Sequence, residues 1–135
     1  MQKQQTQKET ISIIENYKKE TPLKCRNSCL CELNSDKKYV PVIVLPFEKK
    51  MELKKKKILL RVNDPFIKVS QYIHSKLKEK NIIMDESQAL TCFVNGKFML
   101  PSDMLFGQIE KEYADAEDKN IYIVYCPQVA FGNFC

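Results

Sequence analysis

Cysteine, histidine and glycine are the residues through which this chain could do chemistry, and their spacing limits what that chemistry is. The six cysteines are Cys25, Cys29, Cys31, Cys92, Cys126 and Cys135. Thiolates bind soft metals or act as nucleophiles. Cys25-x3-Cys29-x-Cys31 is not a usual zinc spacing, and no second Cys-x2-Cys completes it. One histidine, His74, leaves no HExxH box. A Cys–His nucleophilic pair would have to join His74 to Cys92 or Cys126. Nothing in the sequence places them together, and no oxyanion motif accompanies them. The three glycines, Gly96, Gly107 and Gly132, stand apart, so GxxxxGK[ST] and GxGxxG loops are absent. Paired carboxylates for acid–base work are not evident either. The reading is a chain without catalytic residues, resident metal or cofactor.

Charge narrows the partners. The net charge is +5 over 135 residues. Residues 1–61 carry 15 lysines and arginines against 7 acids, whereas residues 62–135 carry 7 against 10. Only Arg26 and Arg61 are arginine. Lysine lacks the bidentate fork that reads bases, so a sequence-specific nucleic-acid reader is not favoured. The run Lys54-Lys55-Lys56-Lys57 reads as a solvated loop or as an electrostatic guide for an acidic partner. Residues 1–9 are polar, without the apolar core of a signal peptide, and no apolar run approaches the length of a membrane span. A cytoplasmic, reducing setting is expected, with Cys92 and Cys126 as core residues.

The elements that must position these residues follow from periodicity. Residues 1–38 read as a partly disordered N-terminal extension, with a short helix over about residues 7–19 and loop after Pro22. Residues 39–45 are β-branched and read as a strand, its Pro41 suggesting an edge at the start. Residues 57–62 form a second strand. Asn63-Asp64 caps a helix running to about Lys80, with Phe66, Val69, Ile73 and Leu77 on its apolar face. Residues 89–94 are a third strand, and Asn95-Gly96 turns it into a short return strand, 97–100. A short helix follows Pro101-Ser102-Asp103. Residues 110–118 read as a solvated acidic turn, and residues 120–126 as a final strand. This order fits an α+β fold, a β-grasp: a mixed sheet with one long packed helix and a last strand inserted centrally. The divisions are 1–38, a ubiquitin-like domain over 39–132, and a tail over 133–135.

The chain's end carries a family likeness. Tyr125-Cys126-Pro127-Gln128-Val129-Ala130-Phe131-Gly132 resembles the C-terminus of autophagy-related protein twelve, a ubiquitin-like modifier. Phe93-Val94-Asn95, Asp103 and Gly107 match the same family. Tyr39-Val40-Pro41-Val42-Ile43-Val44 and the 53–60 segment look instead like the first two strands of its sister, autophagy-related protein eight (the GABARAP-like modifiers). Asn120 and Cys126 weigh toward protein twelve.

In both families the last glycine is the chemical handle. Its free carboxylate is adenylated, passed to a thiol and then to an amine; glycine is needed because the channel it threads has no room for a Cβ. Gly132 is the conjugation candidate, but Asn133-Phe134-Cys135 follow it. The protein-twelve likeness therefore implies non-covalent pairing with autophagy-related protein five. It also implies recruitment of the conjugating enzyme, autophagy-related protein three, through Ile43, Lys57, Ile58, Leu60 and Phe131, with indirect association to forming autophagosomal membranes. The protein-eight likeness implies trimming after Gly132 and conjugation to phosphatidylethanolamine.

Overall fold

The computed structural model describes residues 2–22, 39–82 and 90–127. The elements are α1 (Gln2–Glu20), β1 (Tyr39–Pro46), a 3-10 turn (Lys49–Met51), β2 (Lys57–Arg61), α2 (Ile67–Glu79), β3 (Leu90–Val94), α3 (Phe106–Tyr113) and β4 (Ile121–Pro127). The sheet order is β2-β1-β4-β3. β1 pairs antiparallel with β2 and parallel with β4, and β3 pairs antiparallel with β4. The last strand does insert centrally, and the fold is the β-grasp.

β1 and β4 are apolar at consecutive residues because both faces of the sheet are covered. Val40, Val42 and Val44 alternate with Ile43 and Leu45 along β1, as Ile121, Ile123 and Tyr125 alternate with Tyr122 and Val124 along β4. The first set of each strand faces α2 and α3. There Phe66, Val69, Ile73 and Leu77 are all buried, together with Phe106 and Ile109. Each such large side chain contributes roughly 1.5–3 kcal/mol by leaving water. The second set faces α1, which lays Ile14 over Ile43, Leu45, Tyr122 and Val124.

Specific polar contacts fix α1 on that outer face. The Thr10 hydroxyl donates to the Gly96 carbonyl. The Lys18 ammonium pairs with the Asp115 carboxylate and lies 4.9 Å from the Tyr122 ring centroid. The Tyr17 and Tyr122 rings meet edge to face at 6.1 Å. Gly96 is required twice over. Its φ of +72° follows Asn95 at 57°, the paired left-handed conformation of a tight hairpin turn. A Cβ on it would lie 3.1 Å from the backbone of Thr10 and Ile11.

The local expectations fail where distant segments supply hydrogen bonds. α2 begins at Ile67, beyond the Asn63-Asp64 pair, and no side chain caps it. The Asp64 carboxylate instead accepts the Arg61 amide at 2.9 Å and closes a turn. The leading amides of Phe66 and Ile67 donate to the Met104 and Ser102 carbonyls, at 2.8 and 3.0 Å. The same demand removes the return strand. Val94 and Phe98 form one isolated bridge, and the chain then swings away to offer those carbonyls to the helix start. Pro41 sits in a strand that is central rather than at an edge, but β4 joins only from Val42 onward. Nor is the acidic run a merely solvated turn. Asp115 accepts the Glu117 and Asp118 amides at 3.0 and 3.2 Å, and buried Asp118 accepts the Asn120 amide and the Tyr122 hydroxyl.

Candidate functional site

Among the described residues β2 is an outer strand, with β1 as its one neighbour in the sheet. Its backbone on the other side offers amides and carbonyls to an added strand. Lys57 stands opposite Ile43, Ile58 opposite Val42, and Leu60 opposite Val40. Alternation therefore splits the expected partner-binding residues between two faces. Ile58 and Leu60 lie on the α2 face, Ile58 buried and Leu60 half-buried against the core. Lys57 and Ile43 lie on the α1 face. Lys57 is half-buried, whereas Ile43 is fully covered beneath Ile14 and cannot meet a partner from solvent. Phe131 and Gly132 lie outside the described residues, as do Cys25, Cys29, Cys31, Cys135 and Met84.

The register also settles which residues share one end of the sheet. β4 runs parallel to β1, with Pro46 opposite Tyr125, and the Phe47 amide donates to the Tyr125 carbonyl at 2.9 Å. β2 runs the other way and begins at Lys57, level with Ile43, so the loop that leads into it lies at the end where β1 and β4 finish, the Lys56 carbonyl accepting the Val44 amide at 2.8 Å. The root of the C-terminal tail at Pro127 and the lysine run before β2 therefore lie at the same end.

That end is built around a cavity of about 200 Å³, lined by Leu53, Lys54, Lys55, Tyr72, Lys76 and Lys80 with Glu79. The Lys80 ammonium donates to the Glu52 carbonyl at 3.2 Å, pinning the end of α2 to the loop before β2. The Lys76 ammonium lies 5.8 Å from the Tyr72 ring centroid and 3.7 Å from the Glu79 carboxylate. Lys56 pairs with Glu52 at 2.6 Å. The hydrogen bond and charge of Lys56, with Lys49 and Lys80 near by, hold the Glu52 carboxyl below its ordinary range. Sequence reading singled out only the 54–57 run here. The spacing Tyr72-x3-Lys76-x3-Lys80, one stripe of a helix, was the signal that could have added the rest.

A second groove runs between α2 and β3, with His74 and Cys92 both lining it. Burial pushes the Cys92 thiol up to about 12, so it is protonated at neutral pH and no Cys–His ion pair forms. Burial, followed by the Glu48 charge, raises Cys126 likewise to about 12. Among the described residues no group of three or more His, Cys, Asp or Glu side chains could hold a metal ion. No helix of the described residues is long and apolar enough to cross a membrane.

A β-grasp sheet with a glycine-bearing tail places the chain in the ubiquitin-like fold class. The family model "Autophagy protein Atg8 ubiquitin like" matches residues 24–132, and the chain belongs to that family. Trypanosoma brucei ATG8 shares the fold: its crystal structure superposes with a TM-score of 0.67 at 18% identity, covering 83% of this chain and 93% of that one. No curated protein matches the sequence.

The family match overturns the protein-twelve likeness and, with it, the non-covalent pairing with protein five. The physical reason lies in the residues that were weighed. Asn120 and Cys126 are both fully buried, so they answer to local packing as much as to lineage. An aromatic-glycine ending is common to both families. Atg8 proteins work with the autophagy conjugation machinery, Atg3 among it, and are recruited to autophagosomal membranes.

Proposed function

We propose that this protein is a lipid-conjugated Atg8 modifier whose working C-terminus is Gly132. The observation that carries the reading is the family match, which runs to Gly132 and stops there, leaving Asn133-Phe134-Cys135 beyond it. A protease hydrolyses the Gly132–Asn133 peptide bond, releasing the segment that begins at Asn133 and leaving a glycine carboxylate. That carboxylate is adenylated with loss of pyrophosphate. A thiol displaces the adenylate to give a thioester, and the amine of phosphatidylethanolamine displaces the thiol to give an amide. The modifier contributes the carboxylate and a docking surface, and the partner enzymes contribute the nucleophiles. Residues 39–132 act as the ubiquitin-like unit, and the protein works in the cytoplasm before recruitment to membranes.

The docking surface in this reading is the open edge of β2. An extended segment of Atg3 adds as a strand beside Lys57, Ile58 and Leu60, with Lys57 attracting acidic side chains and Phe131 following on the tail. Ile43 acts from beneath, by holding Lys57 in register. Intact-mass measurement on protein from its native cell tests the proposal. The expected species is one ending at Gly132, together with a form heavier by one phosphatidylethanolamine. A population that keeps Cys135 and carries no lipid would overturn it.

A further inference from the structure

The modifier's two ends differ in charge, and the tail leaves from the basic one. The run 54–57, with Lys76 and Lys80 from α2, sits where β4 ends. Lys49 and Lys50 lie in the same loop, and Glu48, Glu52 and Glu79 are the acids at this end, Glu48 paired with Lys50 at 3.3 Å. The opposite end, after β2 and between β3 and β4, holds Asp64, Asp103, Asp115, Glu117 and Asp118 beside Arg61, Lys68, Lys97 and Lys119, so its charges nearly cancel. Lys54 and Lys55 are exposed, and among the described residues neither has an ion pair.

Only four residues separate Pro127 from Gly132, five steps along the chain and a reach of at most about 17 Å when fully extended. A protein held to a bilayer by Gly132 thus keeps the sheet end near Pro127 close to the headgroups. Lysine side chains add several ångströms of reach, and the screening length at physiological salt is about 8 Å. We propose that the lysine cluster formed by Lys54, Lys55, Lys76 and Lys80 binds the anionic phospholipid headgroups of the membrane that receives the tail. The contact sets which face of the modifier looks outward: α2's C-terminus and the 49–57 loop meet lipid, while the 95–96 and 115–120 turns point away. Charge complementarity favours an anionic bilayer, and the compact, hydrated ammonium of lysine suits phosphate and serine headgroups as a point charge. The orientation rests on the lipid-conjugation reading; the lipid contact itself does not, and is measured without conjugation.

The test is flotation of the full, unconjugated chain with vesicles of phosphatidylcholine alone and of phosphatidylcholine with 30 mol% phosphatidylserine, a probe composition at which each surface lysine is worth about fivefold in partitioning. Binding is expected on the phosphatidylserine vesicles only, falling with salt. Lys54→Ala with Lys55→Ala should lower it on the order of twentyfold, and Lys76→Ala with Lys80→Ala should do likewise. Lys68→Ala with Lys97→Ala, the same charge removed from the opposite end, should change it less than twofold. Unaltered circular dichroism keeps a folding defect from passing as a lipid effect. Lys57 is left intact because it belongs to the Atg3 edge. Equal losses from both ends, or binding to phosphatidylcholine alone, would overturn the proposal. So would displacement from vesicles by inorganic phosphate at a concentration matched to lipid phosphate, since that result marks a free-phosphate pocket. A negative flotation result beside a normal lipid adduct in cells would sink this inference and leave the modifier reading standing.

Discussion

At the scale of single residues, Cys92 and Cys126 prove to be packing groups, and packing makes their behaviour predictable. Cys92 is buried with its thiol at about 12, far above the ordinary value near 9. At pH 8 it should react with a maleimide at least tenfold slower in native protein than in urea, read by mass spectrometry of the Cys92 peptide. Asp115 behaves in the opposite sense. Burial raises its carboxyl, but the Lys18 hydrogen bond and the Asp118 and Glu117 amides outweigh burial, and the net direction is down from 3.8. The anion is the form that folding favours. Its contribution is therefore complete above the unfolded value near 3.8 and is lost as pH falls through the lower folded value. A pH titration followed by the Tyr17 and Tyr122 ring signals should show their separation only below that window. Asp115→Asn should make the same separation independent of pH and cost about 1 kcal/mol in urea unfolding.

Among the elements, α1 and α2 do different work on the two sides of one sheet. α2 buries Val69, Ile73 and Leu77 completely, so Ile73→Ala should cost about 3–4 kcal/mol in urea denaturation. α1 touches the second, smaller cluster through Ile14, and Ile14→Ala should cost about 2 kcal/mol. That loss should also appear as faster amide exchange across α1 while α2 stays protected. The helical stripe that predicted α2 was legible because its spacings of 3, 4 and 4 are local. The start of α2 was not legible. Asn63-Asp64 has the composition of a cap, but the carbonyls that satisfy the first amides come from Ser102 and Met104, more than thirty residues away. The same long-range demand reduced the expected 97–100 strand to the single Val94–Phe98 bridge.

For the whole molecule, function depends on what the fold gathers at one end. If the β2 edge receives Atg3, Lys57→Glu should weaken binding of an extended Atg3 peptide about tenfold or more, measured by calorimetry at low salt, because it places a like charge against an acidic strand. Unchanged affinity would remove Lys57 from the docking edge. The branch of the family was harder to read than the family's fold. A short ending shared by sister families carried the protein-twelve likeness, whereas the match over residues 24–132 places the chain among Atg8 proteins. Amino-acid pattern alone determined the four strands that pair in the sheet, the long helix and the isolated Gly132, since each depends on neighbours a few residues apart. Strand order was decided only in three dimensions. It put Ile43 under α1 and out of a partner's reach, and it brought Lys76 and Lys80 to the lysine run beside the tail root. Periodicity tells which face of an element is apolar; which distant element covers that face is decided by packing between segments that no local pattern connects.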